Sequence, residues 1–280
     1  MKKAKFSTLL IGFASASLLT VAFALLSKTA PAQVSTSVHL TMGNPSGAGT
    51  SNLNNYLLNK SQYATSHNCG KRIPNWVSWQ LKSSWLGSAP RQDDFRADTT
   101  LPSGCYRVVT SDYTNSGFDR GHMTPSADRT NTVANNSATF LMTNIIPQAP
   151  DNNQGVWARL EDYARTLLSN NDLYIISGAY GTGGTGSNGF KSVISSNNIV
   201  VPARTWKIIV VVPRGGTASS VNTSTRVIAV DIPNGQGVRN ADWRNYRVTV
   251  DSIEQATGYN FLSQVSSSVQ SVIESRVDTQ

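Results

Sequence analysis

The chain opens with an apolar run, passes through a polar stretch, and then alternates helical and strand-like spacing of its hydrophobic residues. The run at 6–26 carries no charge, follows Lys2, Lys3 and Lys5, and precedes Ala30-Pro31-Ala32, a small-residue site of the kind signal peptidase cuts. Residues 1–32 therefore read as a signal peptide with cleavage after Ala32; an uncleaved anchor is the alternative, because the run is just long enough to span a bilayer. Residues 33–56, dominated by Ser, Thr, Gly and Asn, read as an extended N-terminal arm or linker. Residues 57–280 read as a single domain, long enough for one sizeable core.

Inside that domain the clearest helical spacing starts at Asn153. Counting about 100° per residue, Trp157, Leu160, Ala164 and Leu167 form a buried stripe, with Asn153, Glu161 and Arg165 on its border. Short β-branched runs at 173–177, 198–201, 205–212 and 226–232 predict strands, the third holding the run Ile208-Ile209-Val210-Val211-Val212 of a central strand. Residues 250–257 and 264–276 predict helices. The mixture predicts an α+β fold around a mostly antiparallel sheet with flanking helices. Trp76, Trp79 and Trp85 are assigned to the core rather than to base stacking. The glycine-rich stretch 181–186 is not followed by Gly-Lys-Ser/Thr and opens no helix, so it reads as a flexible connection between strands and not as a phosphate loop.

Charge changes this picture little. The formal balance is +8, and the first 32 residues hold four lysines and no acid, leaving +4. Such a surplus steers a polyanion towards a cleft but gives no evidence of sequence reading. The cysteine inventory is Cys69 and Cys105. An even count in an exported chain favours a bridge, with two buried free thiols as the alternative.

Candidate chemistry concentrates in two blocks. In Asp119-Arg120-Gly121-His122 an imidazole stands beside a guanidinium, a neutral-pH base next to an anion clamp, which suits phosphodiester hydrolysis. Taken alone, an Asp-Arg pair is more often a surface salt bridge. The second block is Thr143-Asn144-Ile145-Ile146-Pro147-Gln148, then Asp151 to Arg165, a loop running into a helix. There Glu161 and Arg165 also fit an ordinary i,i+4 pair, and Asp151, Asn152 or Asn153 each fits a helix cap.

Together these blocks resemble the DNA/RNA non-specific endonucleases of the ββα-metal superfamily, and among them the secreted sugar-non-specific nucleases of cyanobacteria. The resemblance also takes in Asn75-Trp76-Val77-Ser78-Trp79, Arg91-Gln92-Asp93-Asp94-Phe95-Arg96 and Ile253 to Tyr259, most of the mature chain. It implies a ββα-metal core and cleavage of single- and double-stranded DNA and RNA to 5′-phosphorylated ends. His122 would be the general base and Asn153 the direct protein ligand of one divalent cation, Mg²⁺ or Mn²⁺. Glu161 would orient that ion through its water shell, and Arg91, Arg120 and Arg165 would contact phosphate. Asn144 would orient the cluster or the substrate, and Asp119 would be structural.

Zinc does not fit three scattered histidines, His39, His67 and His122. The implied partners are DNA and RNA, with no organic cofactor and no stable membrane association after leader removal. Two other readings stand beside this one: an exported nucleic-acid-binding module without turnover, and a phosphodiesterase acting on small or lipid substrates.

Overall fold

A computed structural model describes Met1 and residues 37–280. Apart from Met1 the expected leader lies outside the described residues, and among these no helix is long and apolar enough to cross a membrane.

Six strands form one antiparallel sheet in the order β1-β2-β3-β6-β11-β12. They are β1 (Tyr56–Asn59), β2 (Ala64–Asn68), β3 (Ile73–Leu81), β6 (Asn171–Tyr180), β11 (Arg204–Pro213) and β12 (Val227–Pro233). A separate pair, β4 (Asp119–His122) with β5 (Ile145–Gln148), leads into helix α2 (Ala158–Thr166), and α1 (Val133–Ala138) lies in the connection between the two strands. Two small hairpins, β7 (Gly184–Gly186) with β8 (Gly189–Lys191) and β9 (Val193–Ile194) with β10 (Ile199–Val200), fill the connection from β6 to β11. Helices α3 (Val250–Thr257) and α4 (Ser267–Ile273) close the chain.

Strand periodicity divides the core into two layers, because successive side chains point to opposite faces. Val77, Trp79, Leu81, Leu173, Ile175, Ile209, Ile228 and Val230 lie on one face, packed with Met123, Trp157, Leu160 and Ala164. Trp76, Tyr174, Ile176, Trp206, Ile208, Val210 and Ala229 lie on the other, packed with Leu40, Met42, Val250, Ile253, Phe261 and Ile273. Each fully buried Ile or Leu contributes about 1.5–3 kcal/mol relative to exposure. Trp85 is half-buried at the margin of the first layer.

Several expectations from sequence change here. The described part of the expected arm, 37–56, is not extended: Leu40 and Met42 are buried, and His39 accepts the Gln80 backbone N–H through Nδ1 (3.1 Å) while its carbonyl takes Ser78 Oγ (2.6 Å). The helix that counts from Asn153 is broken at its start. Residues Asn152–Trp157 form a wide π-helical turn in which Gly155 is non-helical (φ −114, ψ −105), and regular α-helix begins at Ala158. Gly155 lies against the Arg239 backbone, where a Cβ would sit 2.5 Å from the carbonyl oxygen. The glycine stretch 181–186 runs into a hairpin strand rather than remaining a flexible connection. Helix α4 is shorter than the 264–276 expected, and the strand at 198–201 shrinks to Ile199–Val200. Cys69 and Cys105 are bonded, closing a separation of 36 residues.

Candidate active site

Strand β4 carries the first group. Arg120 and His122 are two apart, so both project from one face, while Gly121 points to the opposite face, where a Cβ would collide with the Gln148 side chain. Asp119, two residues before Gly121, bonds outward to the helix start. Asn144 holds the turn after His122. It is fully buried, its Oδ1 accepts the Thr124 N–H (2.9 Å), and its Nδ2 donates to the Thr124 and Thr139 carbonyls (2.8 Å each).

His122 is 9% exposed, and its Nε2 is buried without a hydrogen-bond partner among the described residues. Two phenylalanines wall the ring: Phe95 at 5.3 Å and Phe140 edge-on at 4.9 Å between centroids. Each of these rings also carries an arginine, Arg120 over Phe95 at 4.2 Å and Arg91 over Phe140 at 4.9 Å. Arg91 is further tied to Ser126 Oγ (2.8 Å) and Asp93 (2.7 Å). Burial first, then the charges of Arg91 and Arg120, pull the His122 pKa down from 6.5 to about 3. The imidazole is therefore neutral throughout the physiological range.

Asn153 begins the second group. Its Nδ2 donates to Asp119 Oδ2 (2.8 Å), which also takes Gln154 Nε2 (2.7 Å), so Asp119 couples the foot of β4 to the helix entrance. The Asn153 amide oxygen accepts no hydrogen bond from a described residue. None of the three possible caps acts as one: Asp151 pairs with Arg239 (2.9 Å), and Asn152 is buried, bonded to Gln148, Thr205 and Pro233.

Glu161 and Arg165 do not pair with each other. Glu161 accepts from Lys207 Nζ at 3.0 Å, and that ammonium also sits 4.1 Å from the Trp157 ring centroid. Burial lowers the Lys207 pKa and raises that of Glu161, and each partner offsets the other's shift. Arg165, expected among the phosphate contacts, is held by buried Asp128 (2.8 Å) and by Asp162; Asp128 also accepts from Trp79 Nε1 (2.9 Å). The two groups meet along Ser126–Asp128, which receives Arg91 at one end and Arg165 at the other.

Sequence reasoning missed Lys207, Asp128, Phe95 and Phe140. Only Lys207 left a signal, a lysine inside an apolar strand between Trp206 and Ile208.

A strand pair delivering a neutral buried imidazole, arginines on its walls and a free amide oxygen at the head of the following helix can activate water beside an anion. The family model described as DNA/RNA non-specific endonuclease matches residues 44–268. A nuclease of Nostoc sp. is 53% identical over 248 residues, 87% of each chain. Human mitochondrial nuclease EXOG is 31% identical over 72% of this chain and 55% of its own length. Human mitochondrial endonuclease G is 29% identical over 75% and 70%. Among solved structures, a chain from the crystal structure of the EndoG/EndoGI complex superposes with a TM-score of 0.68 at 24% identity, covering 81% of this chain and 91% of that one, a likeness of fold.

Proposed function

The chain belongs to the DNA/RNA non-specific endonucleases, hydrolytic nucleases, and from that premise we propose that it is an exported endonuclease in which His122 takes a proton from water while Arg91 and Arg120 hold the scissile phosphate. The observation that carries this reading is the neutral His122 ring between two phenylalanines that each bear an arginine. A neutral imidazole accepts a proton, and two guanidiniums fixed nearby favour an anion beside it.

Binding of the phosphate also strengthens the base. The anion offsets the two guanidinium charges that depress His122, so its proton affinity rises once substrate is in place. Asn144 keeps the turn after His122 in register for that transfer. Arg165, engaged by Asp128 and Asp162, anchors α2 to the Ser126–Asp128 turn, and its contact with substrate is secondary to that of Arg91 and Arg120.

The family works with a divalent cation. Asn153 fits the role of its protein ligand, because Asp119 occupies the amide nitrogen and leaves the hard oxygen donor free. Bound there, Mg²⁺ or Mn²⁺ would supply charge stabilisation on the phosphate and the departing 3′ oxygen. Glu161, in the first turn of α2 and balanced by Lys207, would orient that ion without ligating it.

The nucleophile is water and not a ribose hydroxyl, so DNA and RNA, single- or double-stranded, are both substrates, and departure of the 3′ oxygen leaves 5′-phosphate on the new ends. Export is supported by the Cys69–Cys105 bridge, which persists in oxidising compartments.

The test exposes supercoiled plasmid and single-stranded RNA to the purified protein with Mg²⁺, Mn²⁺ or EDTA, beside His122→Ala. Metal-dependent loss of both substrates is expected, with the variant slower by about 10²–10⁴-fold and nucleic-acid affinity, read by fluorescence anisotropy, retained. A variant that cleaves at the wild-type rate removes His122 from the mechanism.

A further inference from the structure

On the sheet face opposite the candidate active site, α3 and the end of α4 bring three acids together. Asp251 lies in the first turn of α3 and Glu254 follows one turn later on the same side; Glu274 is the residue that ends α4. One carboxylate oxygen from each lies within 4.8 Å of the other two. We propose that Asp251, Glu254 and Glu274 form a second divalent-cation site, structural rather than catalytic and suited to Ca²⁺.

Glu274 provides the independent observation. It is 5% exposed, yet its Oε1 is buried without a hydrogen-bond partner among the described residues, while its carboxylate converges on the other two. A buried carboxylate oxygen left unpaired costs about as much as any single polar defect in a fold, and more when it is charged. Among the described residues no cationic side chain pairs with the three acids, and burial first, then Glu254 and Asp251, raise the Glu274 pKa to about 7. A cation between the three removes both penalties at once.

The spacing fits. Oxygens bound to one Ca²⁺ at about 2.3–2.6 Å can be separated by no more than about twice that distance, and the three acids fall inside this limit. The arrangement is also held ready by the backbone. The Asp251 N–H donates to the Glu274 carbonyl (3.1 Å), and Glu254 Oε1 is positioned by the Phe261 N–H (2.7 Å). Carboxylates on two helix ends, with no octahedral constraint, suit the tolerant coordination of Ca²⁺ better than that of Mg²⁺. The ion would tie α4 to α3 and so fasten the C-terminal layer to the sheet.

The full chain carrying Asn153→Ala, which silences the proposed catalytic ligand, is stripped with EDTA, dialysed and titrated calorimetrically with CaCl₂ at pH 8. One Ca²⁺ per chain is expected, and none after Glu274→Gln is added. In the otherwise native chain, Ca²⁺ about a hundredfold above its Kd should raise Tm by about 5–10 °C. Glu274→Gln should lose that response yet keep native Mg²⁺-dependent plasmid cleavage. Exposed Asp251→Asn serves in its place if Glu274→Gln does not fold. Absence of Ca²⁺ uptake by the Asn153→Ala chain at about 10 mM, or an equal Tm rise in Glu274→Gln, overturns the proposal; the three acids would then be sharing a proton.

Discussion

An ordinary histidine base would switch off as pH falls through 6.5, and His122 should not. At pH 5 a histidine titrating at 6.5 is neutral in only about one molecule in thirty, whereas one titrating at about 3 is almost wholly neutral. The difference between the two environments amounts to about 5 kcal/mol. The dependence of kcat/KM on pH reports groups of the free enzyme; the Asn153 amide does not titrate, and the Lys207 ammonium opposes the rise that burial gives Glu161. The expected profile between pH 8 and pH 5 is therefore flat within about twofold, where an unperturbed imidazole would give a fall of about thirtyfold.

The assay is initial-rate cleavage of a fluorescent oligonucleotide well below KM, at constant ionic strength and saturating Mg²⁺. Folding must be followed at each pH, because all three histidines are buried with lowered pKa values, His39 and His67 to about 4. Each binds a proton in the unfolded chain below 6.5 but not in the folded one, so stability falls as pH drops from 6.5 towards 4, by about 1.4 kcal/mol per pH unit per histidine. Glu274 acts oppositely: its raised pKa favours the fold at low pH, and that contribution is lost as pH rises from 4.5 to about 7. Arg91→Gln should lift the activity limb above 3 while leaving it below 6.5, since burial outweighs the arginine. A tenfold loss of kcat/KM per pH unit below 6.5, with native fluorescence unchanged, would refute the reasoning.

Other outcomes follow from the same contacts. Asp119→Ala frees the Asn153 amide to rotate and should raise the Mg²⁺ concentration needed for half-maximal rate by about 10–100-fold, less than Asn153→Ala does; equal metal titrations for Asp119→Ala and the native chain would remove the coupling. Glu161→Ala strands the Lys207 ammonium and should destabilise the fold by about 3–5 kcal/mol in urea unfolding, whereas Lys207→Met with Glu161→Leu should recover most of that. Replacing Cys69 and Cys105 by serine should cost about 3–4 kcal/mol and lower Tm by about 10 °C, with the rate at 25 °C preserved.

Those features also mark where the sequence was legible. The β-branched run at Ile208 to Val212 announced the central strand because both faces of β11 are buried and every position favours the same side-chain type. The Asp119–His122 segment announced its chemistry but not its strand, since Arg120 and Gly121 carry no strand signal and the pairing with β5 is distant in sequence. Strand β3 was hidden by Asn75, Ser78 and Gln80, polar residues that are buried because their partners include His39, Asn54 and Tyr174. The packed N-terminal segment escaped for the same reason. Gly155 was the visible warning that helical counting from Asn153 would fail, but its contact with Arg239 was not.

Phe95 and Phe140 have a consequence beyond packing. A free arginine on a protein surface gives up rotational freedom when it grips an anion, about 0.5–1.5 kcal/mol for each side chain. Here both guanidiniums already lie on rings that also fix the imidazole, so much of that ordering is complete when the chain folds. If His122, Arg91 and Arg120 act as proposed, an incoming phosphate would meet side chains that have little entropy left to lose, and because the rings that aim the arginines also aim the imidazole, a nucleic acid of any sequence that docked its backbone there would at the same moment be aligned for attack.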